Sequence, residues 1–89
     1  MDEIPLHEQI LASLQELLSK NKITFQNEEE IRDLCELLTR CKFQAEEKRE
    51  IVKGLTALIM MLHNIESKKF CATHLSQALS HFVGVKHIK

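Results

Sequence analysis

The segment Leu55-Thr56-Ala57-Leu58-Ile59-Met60-Met61-Leu62 constrains this chain more than any other. Its large apolar residues fall on more than one side of a helix, and such a helix must be covered by other helices or by a partner. Ile51, Leu55, Leu58, Ile59, Leu62 and Ile65 form its main stripe, and Val52, Met60 and Met61 widen that stripe past one face. Each of these side chains contributes roughly 1.5–3 kcal/mol when fully buried, so a helix over about 45–65 is predicted to be the centre of the fold. Gly54 sits inside it at a cost of about 1 kcal/mol relative to Ala. The predicted return is the close approach of a neighbouring helix backbone.

Three shorter helices are predicted around this one. Pro5 suits the first turn of a helix, and Leu6, Ile10, Leu14, Leu17 and Leu18 then make one stripe over about 5–20, ended by Asn21 and Lys22. Ile23-Thr24-Phe25 is β-branched and extended in character, and it is read as a packed connector because no second strand candidate exists to pair with it. A helix over about 28–40 follows, with Asn27 as its cap, Glu30 as the capping-box partner and Ile31, Leu34, Cys35 and Leu38 inward. Phe43 anchors the start of the long helix in the manner of a hydrophobic staple. After the polar break Glu66-Ser67-Lys68-Lys69, a last helix over about 72–83 buries Leu75, Ala78, Leu79 and Phe82. Gly84 is placed as its left-handed C′ residue, and 84–89 is a tail. No internal repeat is apparent. With 89 residues, two Gly, one Pro and no Tyr or Trp, the expectation is all-α, one compact four-helix domain, up-and-down or orthogonal.

Composition excludes several functions. No apolar run reaches the length of about 18 residues needed to span a membrane, and Met1-Asp2-Glu3 lacks the basic-then-apolar order of a secretion signal. Cys35, Cys41 and Cys71 are odd in number and suit no disulfide framework, which fits reduced thiols in a cytoplasmic protein. Two isolated Gly cannot build a phosphate-cradling loop, so the chain alone is no P-loop ATPase. Glu46, Glu47 and Glu50 read as the acidic start of a helix rather than an acid–base pair.

Charge is unevenly spread. Residues 1–47 carry 11 Asp/Glu against 5 Lys/Arg, and residues 48–89 carry 2 against 7, so the halves are expected to attract each other across the folded domain. The alternative is a basic face for a phosphate, a nucleic acid or an acidic partner. Lys68, Lys69, Lys86 and Lys89 are too scattered, and too short of aromatic neighbours, for nucleic acid to lead. Cys71, His74 and His81 lie on one side of the last helix and are metal-ligating types, but no second pair completes a tetrahedron. Packed or surface roles are therefore expected of them, with no metal and no cofactor. Met60 and Met61 fit either core filling or an adaptable groove.

The order of elements, the link Thr39-Arg40-Cys41-Lys42-Phe43-Gln44-Ala45 and the segment His74-Leu75-Ser76-Gln77-Ala78-Leu79 together resemble the helical lid that follows the nucleotide-binding core of AAA+ ATPases. The nearest likeness is to the C-terminal domain of magnesium-chelatase-related ATPases. That resemblance implies a sensor arginine near the start of the third helix, at Arg49, with Lys53 one turn on as a second nucleotide-sensing position. A guanidinium there would make paired charge-assisted bonds to phosphate oxygens. Glu47 and Lys53 stand where the family pattern has Ser and a second Arg. The pattern Lys69-Phe70-Cys71-Ala72-Thr73-His74-Leu75 is also similar to the end of histone folds.

The expected function is a non-catalytic protein–protein interaction module of AAA+ lid type or an adaptor, and not an enzyme. Its partner would be its own ATPase core, another subunit or a second copy. Leu55, Leu58, Met60, Met61 and Leu62 are the expected interaction surface. One alternative is a small secretion or assembly chaperone, or an obligate homodimer, using the apolar third helix as its seam. The other is a metal or nucleic-acid binder acting through the basic, His-containing C-terminal half.

Overall fold

The computed structural model describes residues 4–20 and 22–84. The acidic Met1-Asp2-Glu3, the helix stop at Asn21 and the tail after Gly84, with Lys86 and Lys89, lie outside the described residues. Four helices and no strand are present among those described: α1 (Leu6–Leu18), α2 (Phe25–Arg40), α3 (Ala45–His63) and α4 (Lys69–Val83), with a 3-10 turn at Glu66–Lys68. The all-α four-helix expectation holds.

Local chemistry sets the boundaries. Pro5 caps α1 instead of sitting in its first turn, and its carbonyl accepts from the Glu8 and Gln9 N–H groups at 3.1 Å each. α2 starts three residues earlier than predicted. Thr24 is its cap, and the hydroxyl accepts the Asn27 N–H at 3.2 Å while Asn27 Oδ1 accepts the Thr24 N–H at 2.9 Å. This reciprocal pair is a capping box with Asn27 as the inner partner. Asn27 Nδ2 also donates to Glu30 at 3.0 Å, so a buried amide keeps its hydrogen bonds. Of the predicted connector, Ile23 is buried, Thr24 caps, and Phe25 opens the helix 80% exposed.

At α3 the Glu47 carboxylate accepts the Gln44 N–H at 2.9 Å. The helix ends at His63, two residues short of the predicted stop. α4 then begins at Lys69, three residues earlier than predicted, because the break contracts into a 3-10 turn. It closes on Gly84 at φ 68°, the left-handed residue that glycine adopts without a Cβ clash.

Packing follows a simple plan. α3 lies against α4 and α1, and α4 lies against α2. His7 Nδ1 stands 3.2 Å from the Glu47 carboxylate, and mid-helix Leu14 packs at Gly54, so α1 and α3 run parallel. Lys68 pairs with Glu28 at the start of α2, and Phe82 borders Leu38 and Thr39 at its end, so α2 and α4 also run parallel. The molecule is thus two helical hairpins, α1–α2 and α3–α4, stacked in the same orientation.

This stacking exposes an internal repeat, contrary to the sequence expectation. Ile10, Leu14 and Leu17 precede Ile51, Leu55 and Leu58 by the same interval of forty-one positions that separates Leu34 from Leu75 and Leu38 from Leu79. Burial repeats with it. Ile10, Leu14, Leu17, Ile31 and Leu34 are buried in the first hairpin, and Ile51, Leu55, Leu58, Ala72 and Leu75 in the second. A helical hairpin cannot bury its apolar face alone, and stacking a second copy of the motif on it supplies the cover.

The boundary between the hairpins also carries the cross-charge attraction expected from composition, in the Glu28–Lys68 pair. Phe43 packs edge-on to Phe82 with ring centroids 5.7 Å apart, and Lys48 lies 5.6 Å from the Phe82 centroid. That cluster fastens the link between hairpins to the end of α4.

Candidate interaction surface

The apolar third helix does not form the surface expected of it. Leu55, Leu58 and Leu62 are completely enclosed in the domain's own core, because α1 and α4 cover the stripe that carries them. Met61 is half-buried against that core, and Met60 alone of the five stands exposed, at 63%. A single exposed Met is no seam.

Arg49 and Lys53 are both exposed on α3. Lys53 lines, with Glu50 and Ala57, a cleft against Leu11 and Leu18 of α1. Arg49 lies outside that cleft. The structure therefore does not gather the two cations around one cavity.

The candidate ligands of the last helix separate as well. Cys71 and His74 border a pocket with Glu28, Ile31, Arg32 and Phe70, and His81 lies further along the α2–α4 boundary, in a cleft that His74 also borders and Cys71 does not. Among the described residues no group of three or more His, Cys, Asp or Glu is arranged to hold a metal. Burial, with Cys71 nearby, pushes the Cys35 thiol up to about 11. Cys71 is raised too, by burial and then by Glu28, against the opposing pull of Lys68 and Arg32. Both shifts favour the neutral thiol, the reverse of what a nucleophile or a metal ligand needs. Among the described residues no helix is long and apolar enough to cross a membrane.

The surface that stands out lies between α1 and α2. These helices form one hairpin yet leave a groove of about 270 Å³ between them. Leu6, Ile10 and Leu17 from α1 meet Leu34 and Leu37 from α2 along its floor. Ile10, Leu17 and Leu34 are buried, whereas Leu6 is half-buried and Leu37 is 37% exposed. Glu16, Glu30 and Asp33 stand on the rim with Gln9 and Ser13. Among the described residues none of these three carboxylates takes part in an ion pair. An apolar trough with a one-sided charged rim is a shape that receives a helix.

Sequence reasoning missed this groove. Leu6, Leu17 and Leu34 read as ordinary inward positions, and Glu16 and Asp33 were given no role. The available signal was Leu37, an apolar residue beside the α2 stripe and not within it. A second exposed feature was also passed over, Phe70, 81% exposed at the start of α4 beside Glu28.

Compared with protein-family models, curated proteins and solved structures, the chain finds no match.

Proposed function

We propose that this domain is a non-catalytic protein-interaction module that docks a partner in the groove between α1 and α2. The observation that carries this reading is the open apolar floor from Leu6 to Leu37, between two helices that scarcely touch each other, whereas α1 packs on α3, α3 on α4 and α4 on α2. A non-catalytic role accords with the raised ionisation of Cys35 and Cys71, which removes the nucleophilic form. The groove lies on α1 and α2, away from Arg49 and Lys53 on α3, so docking there needs no nucleotide. A lid-type role would add a phosphate contact through those two residues to the same docking function.

Site-specific photocrosslinking tests the reading. A photoreactive residue in place of Leu37 is expected to give a discrete adduct in cells, and the same residue in place of exposed Thr56 on α3 is expected to give none. Leu6→Asp, on the opposite wall of the groove, should abolish the adduct from position 37. Equal adducts from both positions, or an adduct indifferent to Leu6→Asp, would remove the groove from consideration.

A further inference from the structure

The internal repeat supplies an occupant for the groove, because the second hairpin carries the same face already filled. Forty-one positions on from Ser13, Glu30, Asp33 and Leu37 stand Gly54, Cys71, His74 and Ala78. Those residues form the side of the second hairpin on which the first one sits. A Cβ built at Gly54 would come within 2.8 Å of Leu14 Cδ1 of α1. Cys71 borders Ile31 and Arg32 of α2, and Ala78 borders Cys35 and Thr39. The face that accepts helices in the second hairpin is therefore the face left open in the first.

The two copies of this face differ in charge. Glu16, Glu30 and Asp33 replace Ala57, Cys71 and His74. What fills the second hairpin's face, α1 and α2, meets it through Leu14, Ile31 and Cys35, with Glu28 paired to Lys68 and Arg32 and Glu36 along the edge. A helix without cations laid on the first hairpin would draw water from the three rim carboxylates, which have no ion-pair partner among the described residues, and offer no counter-charge in return. A helix with Lys or Arg beside its apolar stripe would meet them instead.

A second copy of the chain is the other occupant that a repeat allows, stacked head to tail. Leu14 is the side chain that enters the Gly54 recess, and its counterpart is Leu55. Leu55 is wholly enclosed in its own core, so a second copy has no free knob to insert. Ser13 also stands where Gly54 provides the recess.

Resting on the docking function above, we infer that the groove receives a basic amphipathic helix from a partner protein, its apolar stripe on Leu6, Leu17 and Leu37 and its cations at Glu16, Glu30 and Asp33. From Leu6 to Leu17 the groove runs about 16 Å, which corresponds to about three turns of the incoming helix.

Two synthetic helical peptides of about fourteen residues, with one shared Leu stripe and either Lys or Glu elsewhere, probe this directly. They are titrated with the whole domain by fluorescence anisotropy. Three partly exposed charge pairs together give about a tenfold preference for the Lys peptide. The preference should shrink between roughly 50 and 300 mM salt. It should vanish in the triple variant Glu16→Gln, Glu30→Gln, Asp33→Asn, whose changes are all on the surface. Leu37→Asp should abolish binding of the Lys peptide. Equal binding of both peptides, or a preference that survives the triple variant, overturns the basic helix. If Leu37→Asp still abolishes that binding, the groove remains a docking site. Failure of the Lys peptide to bind also overturns the inference, and the photocrosslink at position 37 then decides separately whether the groove docks anything. Self-association in sedimentation that Leu37→Asp abolishes would assign the groove to a second copy instead.

Discussion

Gly54→Ala sets two effects of known size against each other. In a helix interior the change gains about 1 kcal/mol from backbone propensity alone. At this position the new methyl would lie 2.8 Å from Leu14 Cδ1 and 3.4 Å from Leu14 Cβ. Carbon pairs settle at about 3.5–4.0 Å, so Leu14 must yield by close to an ångström. Leu14 is 1% exposed, enclosed between α1 and α3, and a forced shift in a packed core costs typically about 1–3 kcal/mol. The net expectation lies between no change and a loss of about 2 kcal/mol. In a Leu14→Ala background the sign should reverse. Leu14→Ala itself costs about 2–5 kcal/mol, but it removes the atom the methyl meets, so adding Gly54→Ala should return up to about 1 kcal/mol. Urea unfolding of the four proteins closes this cycle, read by far-ultraviolet circular dichroism. If Gly54→Ala stabilises the parent domain as much as it stabilises the Leu14→Ala variant, α1 does not sit on Gly54 and the stacking of the hairpins is wrong.

Other perturbations test separate parts of the molecule. The raised Cys35 ionisation means that the unfolded chain releases this proton first as pH climbs, so the group's contribution is whole below about pH 9 and is lost between there and about 11. The loss is at most on the order of 2–3 kcal/mol, and the stability difference between the parent and Cys35→Ala should narrow by that much over the window in pH-dependent urea unfolding. Thr24→Ala removes the α2 cap and should cost about 1 kcal/mol, with amide exchange rising first at Asn27. Glu28→Gln should destabilise by about 1–2 kcal/mol, more than an exposed pair would, because both partners of the Glu28–Lys68 contact are mostly covered. Repeating it in a Lys68→Met background should shrink the effect to a few tenths. Phe70→Ser should leave the thermal midpoint within about 2 °C, since the ring is already in water.

How far the sequence discloses this molecule depends on which interactions are local. The stripes of α1, α2 and α4 are legible because Ile10–Leu14–Leu17, Ile31–Leu34–Leu38 and Leu75–Ala78–Phe82 keep helical spacing whatever the helices pack against. The start of α2 was misplaced for a local reason. Asn27 and Glu30 match the capping-box interval, but so do Thr24 and Asn27, and the β-branched Ile23-Thr24 pair masked the earlier match. The α3 interface was misread for a non-local reason. Width of an apolar stripe indicates how many neighbours a helix needs, not whether they come from the same chain, and here α1 and α4 supply them. The repeat escaped notice because its shared residues are Ile and Leu at core positions, which any pair of amphipathic helices matches, while the exposed positions differ throughout. The groove was least legible of all. It depends on how far apart α1 and α2 stand, and that distance is set by the second hairpin beneath them.

The charge asymmetry of the chain acquires a structural meaning once the two hairpins are superposed in register. An excess of carboxylates in the first half would be satisfied at the hairpin boundary if attraction between halves were its only role. Glu28 does meet Lys68 there, but Glu16, Glu30 and Asp33 line the groove on the other side of the first hairpin, where among the described residues they pair with no cation of the second half. Their positions are those at which the second hairpin has the uncharged Ala57 and Cys71, and His74, along the edge of its contact with the first. In stacked repeats a polar outer face keeps another hairpin of the same kind from adding on. A wholly polar face would do this best, and it would not leave Leu6 and Leu37 along the floor. Carboxylates around an apolar floor disfavour a further hairpin without cations and favour a helix that brings them. On the docking role proposed above, the same three side chains bias what may continue the stack.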